Sequence, residues 1–387
     1  MADWHKSDGL VYGADVSDLP YVPDAGPTWL RPVQIDALDS LKLALPNGSF
    51  LPLAGGPQGF THLDVVVEGQ EGGYRALRCD IDSYLAISAD TEKAGRALQL
   101  LSEPRDEFAG LDMGHVHVMG IVNVTPDSFS DGGQAFVCER AINQARQMIQ
   151  DGASLIDVGG ESTRPGAQPV SREEEWRRIQ PVLHALSVEG ICVSADTRHA
   201  SIMRHALQEG ARIINDVSGF TSDGAANVIA EAYSNQRQNS FAIAMHMQGT
   251  PQTMQDNPCY DFAPIDVYKV LQDHINRLTR SGVPRSHISI DPGFGFGKTP
   301  SHNRQIIDWT ALFHGLGVPV LIGVSRKSTI MAAQGLASPL SGYGKDAGTQ
   351  RLGGSLALTF QAAFQGAQLI RTHDVAQTYQ ALSVLYG

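Results

Sequence analysis

The pattern of hydrophobic and polar positions changes near residue 115 and divides the chain into two parts. Beyond that point, short apolar runs alternate with longer stretches in which apolar residues recur every three to four positions, as amphipathic helices require. Eight runs have the length and composition of buried strands: 115–122, 154–159, 191–196, 212–217, 241–247, 287–291, 318–324 and 368–372. Helical stretches lie between them, and a last one, DVAQTYQALSVLY, ends the sequence. Eight strand–helix units within residues 115–387 predict an α/β fold of the TIM (β/α)8 type, which takes about 250 residues.

One helix start has a specific signature. In SREEEWRRIQPVLHALS, Ser171 is a predicted N-cap, and Glu174 stands three positions later, where a capping box places an acid. We therefore expect a helix that begins next to Ser171, with reciprocal hydrogen bonds between these two residues.

Residues 1–114 form a predicted accessory α+β segment that precedes the barrel. Its start is irregular, with prolines at positions 20, 23 and 27, and the segments 60–69 and 75–87 have the composition of strands. A helix is expected in TEKAGRALQLLSE, whose apolar face consists of Ala94, Ala97, Leu98 and Leu101. Because the segment contains no chemical motif, we expect a scaffold or an oligomer contact.

Charge and cysteine content exclude several classes of protein. The formal net charge of −12 argues against a sequence-independent nucleic-acid binder or an anionic-membrane binder, because both need an excess of Lys and Arg. The first residues, MADWHKSDG, lack the apolar core of a signal peptide, and no run approaches the ~20 apolar residues of a membrane span. The four cysteines lie far apart without a CxxC pair, which favours reduced thiols and a cytoplasmic location.

The stretch DPGFGFGKT, residues 291–299, resembles a phosphate-binding P-loop but does not match one. A P-loop has four residues between its first glycine and the Gly-Lys pair, whereas only three separate Gly293 from Gly297, and Pro292 stands where the first glycine would be. The carboxylate of Asp291 therefore offers a different explanation for the loop, as a ligand group at a strand end.

Catalytic groups of a TIM barrel lie at the C-terminal ends of its strands. Every predicted strand here is followed by polar or ionisable residues: Asn123, Glu161, Thr163, Arg164, Asp196, Asn215, His246, Asp291, Ser325, Arg326, Lys327, Arg371 and His373. Any one of them has an ordinary structural explanation, since such residues also cap helices and fill turns. Their presence at all eight ends favours a site.

These residues fall into two chemical groups. Asp196, Asn215, Asp291 and Lys327 could hold a planar heterocycle with a 2-amino-4-oxo edge, because carboxylates accept from N–H groups and an amide both donates and accepts; Phe296 offers an apolar wall. The second group follows the first, second and eighth strands, which are neighbours in a closed barrel: Asn123, Thr163, Arg164, Arg371 and His373.

The second group suits a diphosphate, since guanidinium forks match phosphate oxygens, and the Asn123 carbonyl could bind Mg²⁺. The alternative is that Arg371 and His373 pair with nearby acids. Two loops, 123–133 and 159–167, have a composition typical of loops that close over a substrate, although ordinary surface turns share it.

Taken together, these motifs resemble the dihydropteroate synthase family. The matching stretches occur in the family's order from Val118 to the C terminus: MGIVNVTPDSFSDGG, LIDVGGESTRPGA, SADT, INDVSG, MHMQGTPQTMQ, DPGFGFGK, GVSRKS and RTHDV. The resemblance implies an enzyme that joins 6-hydroxymethyl-7,8-dihydropterin pyrophosphate to 4-aminobenzoate with Mg²⁺, through a cationic pterin intermediate. It also implies a homodimer through the late barrel helices. These small molecules, rather than nucleic acid or a membrane, are the expected partners.

The resemblance assigns roles residue by residue. The pterin ligands are Asp196, Asn215, Asp291, Phe296 and Lys327; the pyrophosphate ligands are Asn123, Thr163, Arg164, Arg371 and His373, with Asn123 on the metal side. The aminobenzoate pocket comprises Phe129, Thr163, Pro165, Lys327 and Ser328, with Ser328 and the following helix N-terminus facing the carboxylate. Asp131 helps to stabilise the cation, so the catalytic set is Asp196, Asp131 and Lys327.

The sequence departs from the family pattern in few places. Thr372 and Ala195 occupy positions where other small or β-branched residues are usual, and neither is a proposed ligand; the segment 1–114 lies outside the resemblance. Two alternatives stay open: a pterin-binding methyltransferase barrel, which needs no pyrophosphate or aminobenzoate pocket, and a non-catalytic barrel subunit. GVSRKS and RTHDV disfavour the first, and the complete ligand set disfavours the second.

Overall fold

A barrel of eight parallel strands forms the larger part of the protein. The computed structural model describes residues 5–7, 10–13, 27–46, 48–69, 72–125, 134–161, 170–235, 239–333 and 351–386. The barrel strands are β7 (His117–Asn123), β8 (Leu155–Gly159), β9 (Val193–Asp196), β10 (Ile213–Asp216), β11 (Phe241–Met245), β12 (Ile288–Asp291), β13 (Leu321–Ile322) and β14 (Leu369–Thr372). Their order is β12-β11-β10-β9-β8-β7-β14-β13, and a parallel bridge between Ile290 and Val320 closes the ring. The predicted TIM barrel and its eight strands are confirmed.

The helices of the barrel form its outer layer. They are α4 (Gln134–Gln150), α5 (Arg172–Val188), α6 (Ala200–Gln208), α7 (Ala225–Asn235), α8 (Ala263–Arg280), α9 (Pro300–Asp308), α10 (Thr329–Ala333), α11 (Leu352–Phe364) and α12 (Val375–Tyr386), with 3₁₀ helices at Arg285–His287 and Thr310–Leu316. Ser171 caps α5 as predicted and accepts from the Glu174 backbone at 3.2 Å. The predicted reciprocal bond of a capping box is wrong, because the Glu174 carboxylate binds Arg177 and Arg178 instead.

Alternation along the strands decides which side chains reach the barrel axis. Parallel strands are buried on both faces, so their apolar runs are nearly continuous. In β8, Ile156 and Val158 pack outward in the main core against the helices, whereas Leu155 packs inward. Because alternate residues of a strand face the same side, the next inward-facing positions after Leu155 are Asp157 and Gly159. The inward positions near the C-terminal ends of the strands therefore carry the polar groups.

The N-terminal end of the barrel is filled by residues that precede β7. Phe108 and Met113 are almost completely buried and share a cluster with Met119, Leu155 and other inward-facing strand residues. The rings of Phe108 and Phe241 lie 5.1 Å apart in an edge-on arrangement. These residues precede position 115, where the pattern of the chain changes; the domain division at 114–115 stays a prediction.

The accessory segment is an α+β layer built on a six-stranded sheet. Its elements are β1 (His5–Ser7), β2 (Leu10–Tyr12), β3 (Thr28–Ala37), α1 (Leu38–Ala44), β4 (Leu51–Pro52), β5 (Gln58–Glu68), β6 (Tyr74–Asp80), α2 (Ile81–Ile87) and α3 (Thr91–Ser102). The strand order is β1-β2-β6-β5-β3, with β4 also paired to β5. The strand predicted at 60–69 and the helix at TEKAGRALQLLSE are confirmed.

One prediction for this segment is wrong in part. Residues 75–87 do not form a single strand, because β6 ends at Asp80, whose side chain accepts from the Ser83 backbone and caps α2. The long strand β3 begins directly after the prolines of the irregular start, in a stretch for which no element is predicted.

The accessory sheet packs against the barrel through aromatic and charged contacts. Trp29 and Tyr74 form one cluster with Phe262 and Trp309 of the barrel. The Arg31 guanidinium stacks 4.5 Å from the Trp309 ring centroid. Its Nη2 also donates to the Asp308 carbonyl at 2.6 Å. Within the described residues, no helix is both long and apolar enough to cross a membrane.

Candidate active site

A row of four strands brings the first predicted ligands into register. Asn123 of β7 pairs with Gly159 of β8, Gly159 with Asp196 of β9, and Asp196 with Asn215 of β10. Residues in register on parallel strands point to the same side of a sheet. Gly159 keeps the space between its neighbours free: a Cβ placed there would lie 3.6 Å from Asp196 Oδ2 and 3.7 Å from Asn123 Oδ1.

Arg371 of β14 reaches across the barrel to two carboxylates. Its Nε donates to Asp157 Oδ2 at 2.6 Å, and its Nη2 donates to Asp196 Oδ2 at 2.8 Å. Burial alone would lower the Arg371 pKa, but Asp157 and Asp196 outweigh burial and raise it. The alternative that Arg371 pairs with nearby acids therefore describes this structure, while Nη1 takes part in neither bond.

Asp157 belongs to the site although its position is not a strand end. It is completely buried, and its Oδ2 also accepts from Asn215 Nδ2 at 3.0 Å. Asp157 thus links β8 to β10 and β14. An acid in the middle of the apolar run SLIDVG is the sequence feature that points to it, since such residues are buried only when they are paired.

The DPGFGFGKT loop holds a second group of site residues. Asp291 is 6% exposed, and its Oδ1 accepts from the Gly293 backbone N–H at 2.7 Å. Gly293 adopts φ +69°, and a Cβ there would lie 1.9 Å from the His246 carbonyl oxygen, so only glycine fits. The loop therefore passes directly over the end of β11, as the glycine content suggests.

Lys327 lies between this loop and the arginine. Its Nζ donates to the Phe294 carbonyl at 2.5 Å and is 4.1 Å from the Phe296 ring centroid. Burial lowers the Lys327 pKa to about 7, with Asp291 opposing and Arg371 reinforcing the effect. The ammonium is thus placed against the predicted apolar wall.

A further buried lysine, Lys298, supports the loop from behind. Its Nζ lies 2.8 Å from His246 Nδ1 and donates to the carbonyls of Gly293 and Phe296 at 3.0 and 3.1 Å. Burial lowers the pKa of Lys298 and that of His246 well below their usual ranges. The Gly-Lys pair that resembles a P-loop is therefore an internal brace of the loop.

His373, a predicted pyrophosphate ligand, is held at the rim between β13 and β14. Ser325 Oγ lies 3.1 Å from His373 Nδ1 and accepts from the His373 backbone. Arg326, at φ +59°, forms a two-point ion pair with Asp374, in which its Nε and Nη2 donate to the two carboxylate oxygens. Ser328 is exposed immediately before α10. Five predicted residues lie outside the described part of the chain: Phe129, Asp131, Thr163, Arg164 and Pro165.

Burial is the largest influence on the pKa of the two acids that are predicted pterin ligands, Asp196 and Asp291. It raises the Asp196 pKa to about 7, an effect that Arg371 opposes and Asp157 reinforces. Burial also raises the Asp291 pKa, with Lys327 opposing. Because burial disfavours the charged form of both carboxyl groups, a ligand that supplies N–H donors or positive charge would stabilise them.

The oxygens near Gly159 are suitable for magnesium. Amide and carboxylate oxygens are among the ligands that Mg²⁺ uses, together with substrate phosphates. Asn123 Oδ1 and Asp196 Oδ2 face the same space over Gly159, but Asp196 Oδ2 already accepts from Arg371 Nη2 at 2.8 Å. The Asn123 oxygen is therefore the group that suits the predicted ion, which stays a prediction.

A different cluster beside β8 and β9 has ligand atoms within 4.8 Å of one another: Glu161, Glu175 and His199. Both oxygens of Glu161 accept from Arg198, at 3.1 and 3.0 Å. A guanidinium thus occupies the carboxylate that a metal ion would need. We interpret this cluster as an ion-pair network that holds the end of β8.

Comparison with known proteins agrees with this arrangement. Residues 119–373 match the family described as pterin binding enzyme. Dihydropteroate synthase of Escherichia coli is 43% identical over 276 residues, which cover 71% of this chain and 92% of that protein. The chain belongs to the dihydropteroate synthase family. The Haemophilus influenzae member is 40% identical, over 71% of this chain and 94% of its own length.

Solved structures of the family share the barrel. The Xanthomonas albilineans dihydropteroate synthase with 4-aminobenzoic acid has a TM-score of 0.65 and 40% identity, covering 73% of this chain and 97% of that chain. The Burkholderia cenocepacia enzyme complexed with 7,8-dihydropteroate has a TM-score of 0.61 and 38% identity, over 71% and 92%. Family membership confirms the resemblance seen in the motifs, and both the function and the transferase class follow from it.

Proposed function

We propose that the protein is a dihydropteroate synthase that joins 6-hydroxymethyl-7,8-dihydropterin pyrophosphate to 4-aminobenzoate and releases pyrophosphate. One observation carries the proposal: Asp196, Asn215, Asp291, Lys327 and Arg371, from five different strand ends, gather at one mouth of the barrel. Curated relatives at 40–43% identity carry this activity in their names. The methyltransferase alternative explains the ring ligands but not the guanidinium and imidazole donors that Arg371 and His373 place at the end of β14.

The pterin is recognised by acids and an amide. The 2-amino-4-oxo edge offers N–H donors, for which the carboxylates of Asp196 and Asp291 are acceptors. Phe296 and the Lys327 stem bound one face of the ring, because the Lys327 ammonium already lies over Phe296. Paired in this way, the buried acids no longer bear the full cost of desolvation.

The diphosphate lies on the side of β7 and β14. Arg371 presents Nη1 there while two acids hold its other nitrogens, and His373 is oriented by Ser325. Asn123 stands at the same rim and would hold the magnesium ion, whose charge helps to stabilise the departing pyrophosphate when it is bound. Thr163 and Arg164 are proposed to complete this half.

The chemistry needs no nucleophilic side chain. The C–O bond to pyrophosphate breaks, the pair of electrons leaves with the phosphate, and positive charge develops on the exocyclic methylene and ring. Asp196, whose side chain is 11% exposed, lies next to that ring and stabilises the cation electrostatically, with Asp131 proposed to assist. The arylamine nitrogen then forms the C–N bond and loses a proton to solvent.

The aminobenzoate is proposed to bind between Lys327, Ser328 and three residues of the two substrate loops, Phe129, Thr163 and Pro165. The Yersinia pestis relative has been solved as a sulfonamide drug complex. A sulfonamide is therefore a suitable probe for competition with aminobenzoate in this chain.

A homodimer is also proposed, through α11 and α12. These neighbouring helices contain no charged residue, although 18% of the whole chain is charged. Their exposed residues include Phe360 at 45%, Tyr379 at 50% and Val384 at 82%. An uncharged apolar surface of this kind is typical of a subunit interface. The four unpaired cysteines support a cytoplasmic location for the assembly.

The decisive experiment is a product assay with purified full-length protein. Pyrophosphate and dihydropteroate should form only when both substrates and Mg²⁺ are supplied, and omission of the arylamine should abolish dihydropteroate. Absence of both products under saturating conditions would refute the proposal. Methyl transfer from a folate donor would instead favour the methyltransferase alternative.

A further inference from the structure

We propose that Asp157 is a positioning residue that fixes which hydrogen-bonding group Asn215 presents to the pterin. The inference rests on the proposed function, since it concerns the ring-binding half of that site. It assigns a role to a residue that lies beneath the ligands rather than among them.

The geometry leaves Asn215 one orientation. Asn215 is 4% exposed, and its Nδ2 donates to Asp157 Oδ2 at 3.0 Å. An ionised carboxylate has no hydrogen to donate, so the amide atom that faces it must be the NH₂ group. The Asn215 carbonyl oxygen is then the group available to a ligand, and it can only accept.

The same oxygen of Asp157 is held in place by Arg371. The Arg371 Nε donates to Asp157 Oδ2 at 2.6 Å, while its Nη2 is bound to Asp196 Oδ2 at 2.8 Å. A guanidinium with two such bonds has a defined plane, so the carboxylate cannot turn away from Asn215 without breaking a charge-assisted bond. The second oxygen, Oδ1, is buried with no protein hydrogen-bond partner among the described residues. A group placed only for stability would not leave a buried carboxylate oxygen in that state.

The consequence is specificity for the amino edge of the ring. Three acceptors, from Asp196, Asp291 and Asn215, then face a heterocycle that must supply N–H donors. A ring with oxygen in place of the 2-amino group presents an acceptor to these acceptors and is rejected. If Asp157 were replaced by alanine, the Asn215 side chain would lose this acceptor, could rotate by half a turn and could offer NH₂ instead. The choice between amino and oxo rings would then weaken.

The test compares binding of a pterin and of the corresponding lumazine, in which oxygen replaces the 2-amino group. Affinities are measured by calorimetry on full-length protein, independently of turnover. For Asp157→Ala we expect pterin affinity to fall by about 10–100-fold, the range typical of groups that orient metal ligands. The preference for pterin over lumazine should fall at least tenfold.

Asp157→Asn distinguishes orientation from simple damage. The carbonyl oxygen of the new amide can take the place of Oδ2 and accept from both Arg371 Nε and Asn215 Nδ2, so it keeps Asn215 in the same orientation although the charge is lost. Asp157→Asn should therefore keep most of the preference that Asp157→Ala loses. If Asp157→Ala does not fold, Asp157→Leu, which is closer to Asp in shape and also lacks an acceptor, takes its place and should show the same loss.

Two results would overturn the inference. One is an unchanged preference in Asp157→Ala, and the other is an Asp157→Asn variant that loses the preference as completely as Asp157→Ala. Asp64→Asn, which removes a fully buried acid of the accessory sheet, should leave the preference unchanged and serves as the matched control. Failure of the product assay by the wild type would instead count against the proposed function, so the two failures are distinguishable.

Discussion

Arg371 Nη2 donates to Asp196 Oδ2 at 2.8 Å, although 175 residues separate the two in the sequence. The contact joins the two proposed halves of the site, because Asp196 is proposed to bind the ring and Arg371 the diphosphate. A change of charge next to one of these residues therefore alters the electrostatic potential at the other. This coupling makes Asp196 the first residue to test.

Asp196→Asn should lower kcat by about 100- to 1000-fold, the cost typical of removing one preorganised electrostatic contact to a transition state. The amide keeps the shape of the side chain and can still accept from Arg371. The negative charge facing the cationic pterin is lost. Pyrophosphate release under saturating substrates measures the effect.

The control for this variant is Asp223→Asn, which changes an exposed acid in the loop before α7. It should retain the wild-type rate. Wild-type turnover in Asp196→Asn would remove that carboxylate from the mechanism.

Glu175→Gln should stabilise the protein above pH 7 but not near pH 5. Burial raises the Glu175 pKa to about 7, and its Oε2 is buried without a hydrogen-bond partner among the described residues. Between pH 4.5 and 7 the folded state keeps a proton that the unfolded chain releases, so the free energy of unfolding falls as pH rises through this window. Gln cannot ionise and avoids that loss, which is on the order of 3 kcal/mol.

Denaturation of both proteins at several pH values measures this difference. The gap between variant and wild type should widen from pH 5 to pH 7 and then stay constant. A gap independent of pH would mean that the Glu175 carboxyl does not titrate in this range. Arg198 and Glu161 face the same group, so Arg198 must stay unchanged in the comparison.

The sequence pattern predicts the barrel well because parallel strands are buried on both faces and therefore form uninterrupted apolar runs. The accessory segment is harder to predict. Pro32 and Asp36 interrupt the pattern of β3, whose pairing with β5 holds it in place nevertheless. The run 75–87 has one composition throughout, yet Asp80 caps a helix in its middle. Pairing with β5 overrules local preference in β3, whereas the Asp80 cap is itself a local hydrogen bond that ends β6 and starts α2.

The sequence predicts those residues of the candidate site that lie at the strand ends. Asn123, Asp196, Asn215, Asp291 and Arg371 converge because the C-terminal ends of parallel strands meet at one mouth. Asp157 lies two residues before the end of β8, so strand-end position alone does not identify it. Lys298 follows a glycine-rich loop whose path depends on positive φ angles, which the sequence does not specify.

Phe108→Ala should lower the free energy of unfolding by about 3–5 kcal/mol, because it removes a fully buried ring from the N-terminal end of the barrel. The ring packs on Phe241. The cavity left by the substitution would be lined by apolar strand residues, so water that entered it would contact apolar side chains. Thermal and chemical denaturation measure the change. Phe136→Ala, at a ring that is 45% exposed, should lower the free energy of unfolding much less. Equal losses in the two variants would contradict tight packing of Phe108 at the N-terminal end of the barrel.

Phe360→Glu should convert the proposed dimer into a monomer. A charge placed on the uncharged surface of α11 would be buried without a partner if two copies met there. Light scattering after size exclusion measures the mass. Leu43→Glu, at an 85% exposed position on α1, should not change it, and a dimer that survives Phe360→Glu would place the interface elsewhere.

Asp64→Asn should destabilise the accessory sheet and its contact with the barrel by about 3 kcal/mol. The Asp64 carboxylate is fully buried and accepts from Arg31, Arg78 and Tyr12 at 2.8 to 3.1 Å. Removing one partner of a buried ion pair leaves the others without compensation, which costs 3–5 kcal/mol in typical cases. Arg31 also stacks on Trp309, so the loss extends to the interface.

Tryptophan fluorescence during denaturation reports on this region, because Trp29 and Trp309 both lie at the contact. Asp39→Asn is the matched control, since Asp39 also pairs with a cation, Lys42, but its side chain is 91% exposed. Exposed pairs contribute little, so this change should stay within about 0.5 kcal/mol. If the two variants lose the same stability, burial does not decide the strength of the Asp64 network, and the accessory sheet must be held to the barrel mainly by its aromatic contacts.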